Sequence, residues 1–121
     1  MDKRIQIRPI IECKLADSPI ENFQNQTIRP IVKLQHHLIQ AVFIEFYTSN
    51  KIVWNNLSDT KKTELINNSF EKDLRFKNSI LHLIIGHFMI DEYNFFKENK
   101  KELSKRIYQI TKTRVLSIYG Y

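Results

Sequence analysis

Leu74-Arg75-Phe76-Lys77-Asn78-Ser79-Ile80-Leu81-His82-Leu83-Ile84-Ile85-Gly86-His87-Phe88 is the stretch whose reading decides the fold. At 100° per residue its apolar side chains cover well over half of a helical circumference, so the pattern predicts a helix packed on most sides, at the centre of the molecule. Asp73, immediately before it, can accept an amide of the first turn and start the helix. The apolar run from Ile80 to Ile90 is interrupted by His82 and His87 and is about half of the roughly 20 residues that a membrane span requires; no membrane partner is expected. Gly86 falls on the narrow polar side, where a missing side chain would admit another backbone at a cost of about 1 kcal/mol in helix propensity. The only other glycine is Gly120. A chain so short of residues that tolerate positive φ is expected to form long helices joined by short links.

Helix signals continue in both directions. Downstream, Asp91 and Glu92 open a short segment carrying Tyr93, Phe95 and Phe96. Asn99-Lys100-Lys101-Glu102 then reads as a capping box for a last helix with Leu103, Ile107 and Ile110 inward, ending near Gly120. Upstream, Ser58 suits the cap of a helix whose apolar side is Leu65, Ile66 and Phe70. Pro30 lacks an amide donor, which favours a helix restarting with Thr27 as N-cap. From there Ile28, Ile31, Val32, Leu38, Ile39, Val42, Phe43 and Phe46 share one face down to Ser49-Asn50. Ser18-Pro19-Ile20-Glu21 is a capping box with proline at the first helical position. Residues 1–17, with charged and β-branched residues around Pro9, are expected to form an extended arm. The prediction is an all-α fold: an antiparallel bundle of four main helices with one or two short helices over 18–121, an N-terminal arm over 1–17, and helix in more than two thirds of the chain.

The 121 residues suit one domain, and the lone Cys13 excludes an intrachain disulfide, so a reducing cytoplasm is the expected location. Neither an HExxH pair, a G-x-S-x-G elbow nor a phosphate loop occurs. His36 and His37 diverge by 100° on a helix and His82 and His87 by about 140°. Only His87 and Asp91 share a face, so neither metal nor cofactor is expected. The formal charge of +6 is uneven: Lys97 to Tyr121 holds seven Lys and Arg against two acids.

Two polar constellations stand out. Gln35 sits in the middle of an apolar face, and Arg114 projects with Ile107 and Ile110. Buried amides and guanidinium groups require partners, which points to a network of Gln24, Asn25, Arg29, Gln35, His87, Glu92 and Arg114, with a small anion at Arg29 and Arg114 as its functional reading. Lys101, Lys105 and Lys112 line up within 40° beside Tyr108, a stripe that could track phosphates, although no recognition helix, RRM or zinc-finger pattern accompanies it. Ile44, Val115, Leu116, Ile118 and Tyr119 lie outside single stripes and suggest a second buried surface. The leading expectation is a non-enzymatic, self-associating interaction module. A ligand- or metal-binding bundle with lyase or hydrolytic activity comes second, and a nucleic-acid binder acting through the basic last helix comes third.

Phe23-Gln24-Asn25-Gln26-Thr27-Ile28-Arg29-Pro30-Ile31-Val32-Lys33, followed by Ile85-Gly86-His87-Phe88, Glu92-Tyr93 and Lys105-Arg106-Ile107, resembles a group of short all-helical bacterial proteins, some of which carry the label glyoxalase. The resemblance spans roughly residues 18–118. It implies an all-helical relative and brings no catalytic, metal or glutathione-binding residue. Glyoxalases of the vicinal-oxygen-chelate class use βαβββ modules, whose period-2 segments and turn glycines this sequence lacks.

Overall fold

The computed structural model describes residues 3–9, 18–49 and 53–118. Helix of one kind or another covers 86% of them, with no strand among the described residues. In chain order the elements are α1 (Lys3–Gln6), α2 (Pro19–Phe23), a π turn (Gln24–Ile28), α3 (Arg29–Leu34), α4 (His36–Ser49), a 3-10 turn (Trp54–Asn56), α5 (Asp59–Lys72), α6 (Leu74–Ile85), α7 (Ile90–Glu98) and α8 (Lys100–Ile118).

Three of the expected caps form. Ser18 accepts from the Glu21 amide, Ser58 from Lys61 and Asp73 from Phe76, each satisfying one orphan donor of a first turn. Thr27 is not a cap. The helix does not restart there: it widens instead, with the Arg29 amide bonded to the Gln24 carbonyl five residues back, and then runs on through Pro30. A π turn inserts one extra residue just where proline removes a donor, and Thr27 within it is buried and bonded to Glu92. The ladder is disturbed again at Gln35, whose φ of -94° and ψ of 14° separate α3 from α4. That break shifts the phase of the apolar stripe, which is why Ile39 and Phe43 are fully buried while Leu38 remains 47% exposed. Asn99 also departs from its expected role. Its side-chain amide donates back to the Phe95 carbonyl, and Glu102 turns to Arg106.

The centre of the molecule is α8, not α6. Helix α8 packs against α3, α4, α5, α6, α7 and the π turn, with Leu103, Ile107, Thr111 and Val115 fully buried at a spacing of four. Helix α6 buries Phe76, Ile80, Leu81 and Ile84, yet it ends at Ile85 and leaves Leu74 69% exposed. Gly86 caps that end in ordinary right-handed geometry; the nearest atoms to an added Cβ would be its own helix's carbonyls at His82 and Leu83, so no second backbone approaches it. Two aromatic groups complete the packing. Phe43 and Phe76 meet Tyr47, Trp54 and Phe70, while Phe23 stacks on Phe95 and meets Phe88 edge-on.

Of the residues expected to form a second surface, Val115 belongs to the core, and Ile44 and Leu116 pack partly buried against it. The side chains of Ile118 and Tyr119, and the whole of Cys13 and Gly120, lie outside the described residues. The expected extended arm begins instead with the helical turn α1; its residues 10–17 are likewise outside the described set.

Candidate functional site

The π turn sits between two polar assemblies and contributes to both. Residues expected to form one network are thereby divided: Gln24, Asn25, Arg29 and Arg114 collect on one side, and Gln35, His87 and Glu92 on the other.

The second group is a closed cluster. Glu92, in the first turn of α7, accepts from the Met89 amide at 2.8 Å, which satisfies the start of that helix. The same carboxylate receives Arg8 through both terminal nitrogens at 2.9 Å, and Thr27 Oγ1 at 3.2 Å. Arg8 also donates to the His87 carbonyl, and Arg4 to the Phe88 carbonyl at 3.2 Å. The Arg8 and Glu92 side chains are only 8% and 16% exposed, so this pair is a sheltered one. Burial would raise the Glu92 pKa, but the hydrogen bonds from Arg8, Met89 and Thr27 and the Arg8 charge outweigh it and hold the carboxyl below its usual range. Gln35 donates its side-chain amide to His87 Nε2. Burial, with the charges of Arg8 and Arg4, keeps the His87 pKa low, so the imidazole is neutral and able to accept.

The first group lines an open cleft of about 470 Å³ between the π turn, α3 and α8. Its polar wall comprises Gln24, Arg29, Arg106, Thr113, Arg114 and Ser117, with Gln109 and Ile110 along the α8 side. Neutral amides hold two of its guanidinium groups. Arg106 donates to Gln24 Oε1 at 3.0 Å, Gln24 donates to Asn25 Oδ1 at 3.3 Å, and Arg29 donates through Nε to the same Asn25 oxygen at 3.1 Å. Amides orient guanidinium groups without cancelling their charge. Arg106 is partly answered by Glu102 at 2.9 Å, in an exposed pair of little energetic weight. No carboxylate among the described residues lies in the cleft lining or pairs with Arg29 or Arg114. The Arg114 charge also reaches His36, whose pKa is lowered by burial first and by Arg114 and His37 next.

Arg106, Thr113 and Ser117 were not singled out from the sequence, yet they carry a signal: 106, 110, 113, 114 and 117 are spaced as one helical face. The contacts of Arg8 and Thr27 with Glu92 carry no local signal, because they join segments remote in sequence, and Thr27 reads from the sequence as an N-cap. Among the described residues no three His, Cys, Asp or Glu come together as metal ligands, and no helix is long and apolar enough to cross a membrane. Comparison with protein-family models, with curated proteins and with solved structures finds no match to this chain.

Proposed function

We propose that the chain is an antiparallel helical bundle acting as a non-enzymatic binding module, and that its ligand is a small molecule bearing phosphate or carboxylate groups, held in the cleft by Arg29, Arg106 and Arg114. The observation that carries this reading is the convergence of three guanidinium groups on a concave site whose lining contains no carboxylate. Arginine forks match oxyanions bidentately, and a site of this volume is in the range that small ligands occupy. Thr113 and Ser117 add hydroxyls to the wall, which donate to the Gln109 and Arg114 carbonyls of their own helix. The single-residue links at Asp73 and Asn99 favour antiparallel neighbours, which supports the bundle arrangement. No histidine or carboxylate lines the cleft to serve as a general base for the Thr113 or Ser117 hydroxyl, which supports binding over catalysis.

Calorimetric titration of the full chain with inorganic phosphate, pyrophosphate and citrate at low salt tests the proposal. At least one of the three is expected to bind with a Kd below about 1 mM, corresponding to about −4 kcal/mol, and Arg29→Gln or Arg114→Gln is expected to weaken it tenfold or more. Absence of binding by all three, or equal binding to the variants, would overturn it.

A further inference from the structure

The opposite edge of α8 carries a second cationic surface of different chemistry. Two clefts follow one another along it, of about 300 and 250 Å³, and Tyr108 lines both. The first is walled by His82, Tyr93, Lys97, Lys100 and Tyr108, over a floor of Leu81, Ile85 and Phe96. The second is walled by Lys77, Lys105, Tyr108 and Lys112, with Phe70 beneath. Lys77 lies over the Tyr108 ring, 4.8 Å from its centroid. Five lysines thus border the pair of clefts against one carboxylate, Glu71, which stands 4.0 Å from Lys112. From Lys100 to Lys112 the helix rises about 18 Å.

Three features decide what such a surface fits. The cations are lysines, point charges suited to phosphates that need not be held in one geometry, in contrast to the guanidinium forks of the other cleft. Aromatic side chains interrupt the lysines: Tyr93 is 42% exposed and Tyr108 forms the shared wall. The unit of cation plus aromatic occurs twice in succession, which suits a polymer with repeating charge and repeating flat groups better than a single small molecule. Single-stranded nucleic acid has that repeat, because each nucleotide offers one phosphate and one base with two π faces. A duplex would present its bases stacked inside, and a bilayer surface offers no separate flat groups to lie against Tyr93 and Tyr108.

We propose that the face of α6, α7 and α8 carrying Lys77, Lys97, Lys100, Lys105 and Lys112 is a binding track for single-stranded nucleic acid, with phosphates on the lysines and bases against Tyr93 and Tyr108. The track adjoins the arginine cleft at Gln109, which lines both, and shares no cation with it.

Fluorescence anisotropy of the full chain with end-labelled 15-nucleotide dT and U oligomers at low salt tests this. Binding is expected, with a slope of log K against log salt between about −2 and −3.5, as three to five phosphate contacts on a single strand require. The Lys105→Glu/Lys112→Glu double variant, with its fold checked by circular dichroism, is expected to lose at least tenfold in affinity. Tyr108→Leu should lose threefold or more, whereas Arg29→Gln/Arg114→Gln should lose less than twofold. Absence of binding would overturn the proposal. So would equal affinity for inorganic polyphosphate of the same charge, tighter binding to phosphatidylserine vesicles or to duplex of the same length, or a loss confined to the arginine variants.

Discussion

On the Thr27 side of the π turn the Arg8 guanidinium meets the Glu92 carboxylate and the His87 carbonyl through its terminal nitrogens; on the Gln24 side Arg29 and Arg114 meet no carboxylate among the described residues. One assembly is sheltered and compensated, the other open and charged. Compensated charge inside a fold serves structure, because removing one partner strands the other. Uncompensated charge in a cleft leaves a structural ledger unbalanced and an attraction unused, and is the better mark of a binding site. The difference between the two sides can be broken or sharpened by mutation.

The largest effect is expected on the closed side. Glu92→Ala removes the acceptor of Arg8, Thr27 and the Met89 amide together, and should lower stability by about 2 kcal/mol, short of the 3–5 kcal/mol for a wholly buried pair because Glu92 keeps some exposure. Urea unfolding measures it, and a loss below about 0.5 kcal/mol would mean that the pair is only decorative. Acid should act through the same groups. The pKa values of Glu92, His87 and His36 are all lower in the folded chain than their ordinary values, so the unfolded chain takes up more protons as pH falls and stability declines. The histidine contribution is intact above about pH 6.5 and erodes below it, and that of Glu92 is lost further down, below about pH 4.5. His87→Gln is expected to flatten the upper part of that decline in urea midpoints measured between pH 7 and 5.

Smaller effects sharpen the contrast. Thr111 is fully buried in α8, and its hydroxyl finds no partner among the described residues. Thr111→Val keeps the shape and removes the stranded hydroxyl, so it should stabilise by about 1 kcal/mol; a loss of stability would show that the hydroxyl is satisfied. Arg114→Gln should change stability by less than about 0.5 kcal/mol, since no described ion pair depends on it. Equal cost for Arg114→Gln and Glu92→Ala would erase the distinction between the two sides.

Much of the fold was legible because it is local. Ser18, Ser58 and Asp73 announce helix starts through side chains that act within three residues, and the apolar spacing around Ile80 and Ile84 places them inside. What the sequence hid is what depends on the whole. Helix α6 is more apolar than α8, yet α8 is the hub, because apolar composition says how much a helix can bury and not how many neighbours surround it. The break at Gln35 and the π turn before Pro30 are settled by the contacts Gln35 makes with His87 and Thr27 with Glu92, some 50 to 65 residues away in sequence. For the same reason the candidate site was seen in part. Gln35 and Arg114 stand out as polar residues in apolar stripes, with Gln24, Asn25, Arg29, His87 and Glu92 as the partners expected for them, but the division of that set follows from the side of the π turn on which each falls.

The central claim is that the open arginine cleft is the oxyanion site, and NMR titration of the full chain with pyrophosphate tests it most directly. The account predicts saturable shifts in the guanidinium resonances of Arg29, Arg106 and Arg114 and in the Gln24 side-chain amide, with Arg8 unmoved. Shifts confined to the lysines around Tyr108, or none at saturating concentration, would contradict it.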